Sequence, residues 1–134
     1  MPAPVGSVDI ELDLIQWVQG KVGPAVVVRD EVDNNLLAEL PTIQVQRLPA
    51  GDDDGFRLDR ALVDVDVYAA SRGEALDLAG RVRAWLLLEL RGAKTSRAQY
   101  GRIRSSPPPA IRPYENTGLR RAGATYEIYS HPVS

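Results

Sequence analysis

The sequence predicts an α+β domain, two layers deep, with a mostly antiparallel β-sheet packed against two α-helices. Three observations carry that expectation. Residues 60–69 alternate with period 2, with Ala61, Val63, Val65, Val67 and Ala69 on one face and Arg60, Leu62, Asp64, Asp66 and Tyr68 on the other. Ser71-Arg72-Gly73-Glu74 has the spacing of a capping box and precedes a helical apolar stripe. The order of elements is helix, two or three strands, helix, two strands.

The first helix is expected from a Ser7 cap to about Gly20, with the acids Asp9, Glu11 and Asp13 favouring its early turns. At about 100° per residue, Val8, Leu12, Leu14, Ile15, Val18 and Val22 form one broad face, and Ile10 and Trp17 fall off it. Either the helix is buried between a sheet and a loop, or Ile10 and Trp17 face another subunit. Gly23-Pro24 breaks the helix. Ala25–Val28 reads as a short buried strand and Thr42–Leu48 as a half-buried one. Pro49–Gly55 reads as a loop carrying Asp52-Asp53-Asp54, and residues 50–57 are expected to be mobile.

The second helix should bury Ala75, Leu78, Ala79, Val82, Trp85, Leu86 and Leu90 and stop at Gly92. Residues 93–100 read as a polar connection and Gly101–Ser105 as a short strand around Ile103. Four prolines between Ser106 and Pro113 argue against a sheet there. Leu119–Tyr129 alternates again and is the last strand. With 134 residues and no linker, the chain reads as a single domain, 1–134, with flexible ends at 1–6 and 130–134.

Composition narrows the chemistry. There is no cysteine, so disulfide, thiolate-metal and thiol chemistry are out. The single histidine, His131, falls in the expected tail. No apolar run approaches the roughly 18 residues of a membrane span, and the start has no signal-peptide pattern. The Asp52–Asp54 run lacks the alternate spacing of a calcium loop. Gly92-Ala93-Lys94-Thr95 lacks the glycines of a phosphate loop. Asp59, Asp64 and Asp66 read as a water-facing sheet surface rather than an acid–base pair.

The net charge of −2 conceals a division. Residues 1–66 hold 13 acids and 5 bases, net −8; residues 91–121 hold 8 bases and 1 acid, net +7. Such a chain suits binding to an acidic partner or to a copy of itself.

Several segments, taken in order, resemble the tail terminator (tail-completion) proteins of long-tailed phages infecting actinobacteria. They are Leu40-Pro41-Thr42-Ile43-Gln44-Val45-Gln46-Arg47 with the Gly/Asp-rich loop after it, then Leu58-Asp59-Arg60-Ala61 running into Val63–Ala69. The helix from Glu74-Ala75 to Leu86-Leu87, Pro113-Tyr114, Gly118-Leu119-Arg120-Arg121 and Ala124-Thr125-Tyr126 continue the likeness. The resemblance implies a non-enzymatic virion protein without cofactor or metal. Its subunits would form a hexameric ring that caps the tail tube at the head-proximal end, stops tube polymerisation and joins tail to head. Assembly would take place in the host cytoplasm. The partners implied are the major tail tube protein and a head–tail connector (neck) protein, with DNA passing through the lumen without specific binding.

On that reading, Ile10 and Trp17 are the expected apolar contacts. Asp52, Asp53 and Asp54 would meet the tube or the lumen. Arg60, then Arg120 or Arg121, would pair with a neighbouring subunit's acids. Alternatives are a neck (stopper) protein and a nucleic-acid-binding accessory protein, the latter from Arg91, Lys94, Arg97, Arg102 and Arg104.

Overall fold

A computed structural model describes Val5 and residues 7–53, 58–105, 107–115 and 118–133. Its elements run α1 (Ile10–Val22), β1 (Val27–Arg29), a 3₁₀ turn (Leu36–Glu39), β2 (Thr42–Asp53), β3 (Asp59–Ala69), α2 (Arg72–Trp85), a π turn (Leu86–Leu90), β4 (Ala98–Arg104), β5 (Ala110–Arg112) and β6 (Arg120–Pro132). The strands form one sheet in the order β1-β2-β3-β6-β4, with β5 paired to the first residues of β6. Only β1 and β2 run parallel; the other pairings are antiparallel. The fold is α+β, as the periodicities predict.

Strand β3 is central, with β2 on one side and β6 on the other, and its alternation turns one face to the helices. Val65 sits between Val45 of β2 and Ala124 of β6, and Val67 between Ile43 and Ala122. These small and branched side chains share the sheet face that both helices cover. Helix α1 lies over β1 and β2, and α2 over β3 and β6. Ser71 caps α2 as expected, its hydroxyl accepting from the Glu74 N–H at 3.2 Å. Ala75, Leu78, Ala79, Val82, Leu86 and Leu90 are all buried. Trp85 is half-buried at the margin of this core rather than inside it. At the C-terminal end the helix widens, with the Arg91 N–H reaching the Leu86 carbonyl at 3.2 Å. That turn leaves Leu88 78% exposed.

Helix α1 departs from expectation. Its cap is Asp9, whose carboxylate accepts from the Leu12 N–H at 3.0 Å, and Ser7 lies outside the helix. The buried stripe is Ile10, Asp13, Leu14 and Val18, while Leu12 is 41% exposed. Ile10 is therefore core and is not available as a contact between subunits. The face was misplaced because Asp13, an aspartate, occupies a core position; its partners lie more than eighty residues away.

Four further expectations change. The β2–β3 ladder continues beyond Leu48, pairing Gly51 with Ala61, Asp52 with Arg60 and Asp53 with Asp59. Residues 51–53 are strand, and Asp54 lies outside the described residues. A register shift between Arg47 and Gly51 is accommodated by Gly51 at φ 93°, where a Cβ would stand 2.5 Å from the Arg60 carbonyl oxygen. Residues 98–100, read as connection, begin β4. Ala110–Arg112 form a short strand despite the flanking prolines, because β5 is an edge strand and the prolines lie outside it. Finally, 130–132 are strand rather than tail, with Ser130 opposite Tyr100 and His131 opposite Gln99. The arm at 1–6 falls, apart from Val5, outside the described residues.

The outer edge of β1 is closed by one side chain. The Val27 N–H points to Pro41 on the β2 side, so the polar groups of Val26 and Val28 face outward. The Gln19 carboxamide meets them, donating to the Val26 carbonyl at 2.8 Å and accepting from the Val28 N–H at 3.2 Å. It also donates to the Gly23 carbonyl at 2.9 Å. Gln19→Leu should therefore lower the unfolding free energy by about 1–3 kcal/mol, the usual cost of unpaired backbone groups. Urea denaturation measures this, and a midpoint equal to wild type would show that Gln19 does not close the edge.

Candidate functional site

Several of the charges that the sequence divides between its halves are paired within the chain. Asp66, on β3, is almost fully buried, and its carboxylate accepts from Arg121 of β6 at 2.9 Å and from Arg112 of β5 at 3.2 Å. Arg112 also lies 3.4 Å from Asp64 and donates to Thr125 at 3.2 Å, while Thr125 in turn donates to Asp64. Gly123 faces Asp66 across the ladder. A Cβ there would overlap the carboxylate and stand 2.7 Å from the Val65 carbonyl oxygen. Glycine is what lets the aspartate lie across β6 toward both arginines.

Tyr68, Leu36 and Leu119 form a small second core on this same sheet face, flanked by Tyr114 at 5.2 Å edge-to-face. The expected water-facing surface is thus covered at this end of β3. Burial pushes the Tyr68 hydroxyl up to about 12, against the opposing pull of Arg121.

At the other end of the sheet, Glu127 of β6 receives Arg60 at 2.8 Å and Arg104 of β4 at 2.7 Å. Burial alone would raise its pKa, but the two guanidiniums outweigh it and hold the carboxyl below its ordinary value. On the helix side, Arg47 grips buried Asp59 with two hydrogen bonds of 3.0 and 2.8 Å. Asp13 of α1 accepts from the Tyr100 hydroxyl and the Thr95 hydroxyl, both at 2.7 Å, and from Arg97 at 3.2 Å. Burial first, then the hydrogen bond to Asp13, raise the Tyr100 pKa.

These pairings engage some of the expected contact residues within the chain. Arg60 and Arg121 already have partners in their own subunit. They also stand at opposite ends of β3, since Arg60 pairs with Tyr129 and Tyr68 with Arg121. Eight steps along a strand is about 27 Å. Arg120 is exposed and donates to the Leu119 carbonyl at 3.1 Å. Trp17 is half-buried against the core, with the Lys21 ammonium 5.3 Å from its ring centre. The structure therefore does not gather Ile10, Trp17, Asp52, Asp53, Arg60, Arg120 and Arg121 into one surface. Nor do the described residues include a cluster of three or more His, Asp or Glu able to hold a metal. No helix among them is long and apolar enough to cross a membrane.

The charges left over sort by sheet edge. Asp30, Glu31 and Asp33 follow β1 and are exposed. Arg91, Lys94, Arg102 and Arg104, around β4, are exposed at the opposite edge. Of these seven residues only Asp33, with Arg29, and Arg104, with Glu127, form ion pairs among the described residues. Sequence reading noted the basic run but missed its position. It also missed Asp13 and Gly123, although a glycine inside an alternating strand is itself a sign of close approach.

Gly123→Ala should push Asp66 off its arginines and destabilise the fold by about 2 kcal/mol or more, toward the range for breaking a buried pair. Equal thermal stability of the variant would rule out the clamp. The tyrosines give a pH signature. Burial also raises Tyr126 to about 12, so the folded state keeps Tyr68 and Tyr126 protonated where the unfolded chain, with its ordinary value of 10.0, ionises them. Their stabilisation is complete below pH 10 and is lost as pH rises toward about 12. The urea midpoint should fall through that window, and Tyr126→Phe should weaken the fall. A flat midpoint would contradict this. No family model matches the chain, and no curated protein matches it either.

Proposed function

We propose that this chain is a structural virion protein, a tail terminator whose subunits form a ring on the head-proximal end of a phage tail tube. The ring stops tube polymerisation and joins the tail to the head. The observation that carries this reading is the opposite charge of the two outer sheet edges in a subunit that pairs most of its other charges internally. A heterologous contact between two different surfaces closes a ring when the rotation per subunit fits, and complementary charge sets its register. The ordered run of segments that resembles the tail terminator family supports the same reading, as does a small α+β subunit. The β2–β3 ladder ends where Asp53 pairs with Asp59, on the side of the sheet where β6 also ends. In an assembly that end would meet the tube or line the lumen.

The exposed arginines and Lys94 along the β4 edge support a second reading, a nucleic-acid-binding accessory protein. The two separate in one pair of measurements. Mixed with tail tubes, the purified protein should appear in electron micrographs as a cap at one end of each tube, and tubes so capped should stop growing when tube subunits are added. Tubes that remain uncapped and continue to lengthen would refute the terminator. A tight, salt-resistant gel shift with DNA would favour the accessory protein.

A further inference from the structure

We propose that the groove between α1 and β1 receives the β4 edge of a second copy of this chain, with Arg102 of the incoming copy set against Asp30 and Glu31. This contact rests on the ring reading above and supplies its geometry. The groove has a volume of about 320 Å³, and its lining includes the apolar Leu12, Ile15 and Val28 together with Glu11 and Asp30. Leu12 is 41% exposed there. The cation in the lining, Arg29, is already taken by Asp33 at 3.2 Å and Glu39 at 3.4 Å. What the groove offers a neighbour is an apolar floor and negative charge.

The matching surface lies at the far side of the same sheet, since the strand order places β1 and β4 outermost. The outer side of β4 is covered near its start by the 93–95 segment, through the Lys94–Gln99 bridge and the Tyr100 N–H bond to the Ala93 carbonyl. Beyond it the strand shifts register between Tyr100 and Ile103, and Arg102 stands exposed at that irregularity. Arg102 forms no ion pair among the described residues, and neither do Asp30 and Glu31.

The contact is made by side chains and does not continue the sheet. Gln19 already occupies the outward N–H of Val28 and the outward carbonyl of Val26, so an incoming strand finds no ladder to join. Each copy carries one groove and one β4 edge. The contact is therefore heterologous, and repeated by a fixed rotation it closes a ring.

The test is a charge exchange in the full chain. One variant carries Arg102→Glu, a second carries Asp30→Lys and Glu31→Lys, and a third carries all three. Light scattering at low salt gives the concentration at half-assembly. Where the wild type assembles only on tube ends, occupancy of those ends is read instead. Each one-sided variant should need at least about tenfold more protein, in line with close interfacial charge pairs. The triple variant should recover, and so should an equal mixture of the two one-sided variants. All the substituted residues are exposed, and unchanged thermal melts confirm that each variant is folded. One-sided variants that assemble like wild type, or a triple variant no better than they are, would overturn this contact and leave the ring reading standing. A wild type that neither assembles nor binds tube ends would remove the ring reading, and this contact with it.

Discussion

The carboxylate of Asp66 lies buried on the central strand, and the arrangement of that end of the sheet follows from the need to neutralise it. A buried carboxylate without a partner is among the costliest features a fold can carry. Arg121 reaches it from β6 and Arg112 from β5, so one charge ties three strands together. Gly123 is required because any side chain there would fill the space through which the carboxylate passes. The short β5, between its prolines, is held by three backbone registrations to β6 and by Arg112. The aromatic pair Tyr68 and Tyr114 closes over the same end, with the Arg121 guanidinium 5.9 Å from the Tyr68 ring centre. Removing one partner of such a buried pair is strongly destabilising, because the other charge is left uncompensated.

The same logic recurs on the helix side. Asp13 could not occupy the buried stripe of α1 unless Tyr100, Thr95 and Arg97 came to meet it. That network draws the segment before β4 under α1 and fixes where β4 starts. Asp59 is handled by Arg47, and Glu127 by Arg60 and Arg104. Asp13 and Asp66 of the first half thus meet arginines of the second, while Asp59 meets an arginine of its own half and Glu127 draws one from each. The large apparent dipole of the sequence shrinks to a residue of charge at two sheet edges. Attraction between such exposed charges is screened over about 10 Å at 0.1 M salt. On the ring proposal they would align the encounter, with apolar contact from groups such as Leu12 holding it.

A sheet with free edges also risks uncontrolled pairing with other sheets. Here the edges are blunted by different means. The Gln19 carboxamide stands in for a strand beside β1, the 93–95 segment covers the start of β4, and prolines flank β5. Edges blunted in this way disfavour backbone pairing with another sheet. The exposed Leu88 at the π turn is the most accessible large apolar side chain among the described residues.

The sequence by itself determined the fold class, the alternating strand at 60–69 and its apolar face, the capping box at Ser71 and all but one of the expected core positions of α2. These are local signals: a period of 2, a period of 3.6 and a cap spaced within one turn, each legible without knowing what lies across the core. It also determined that the chain divides its charge. Only the tertiary structure decided where that charge goes. The face of α1 turned on Asp13, whose partners are distant in sequence, so a rule that places charges outside rotated the helix and put Ile10 on the wrong side. The strand at 110–112 and the strand end at 130–132 exist because β6 is long enough to pair with β5, β4 and β3 along its length. Arg60 and Arg121 resembled free contacts until the ladder brought Glu127 and Asp66 beside them. Periodicity reports which face of an element is apolar; only the assembled sheet shows which charge stands opposite which.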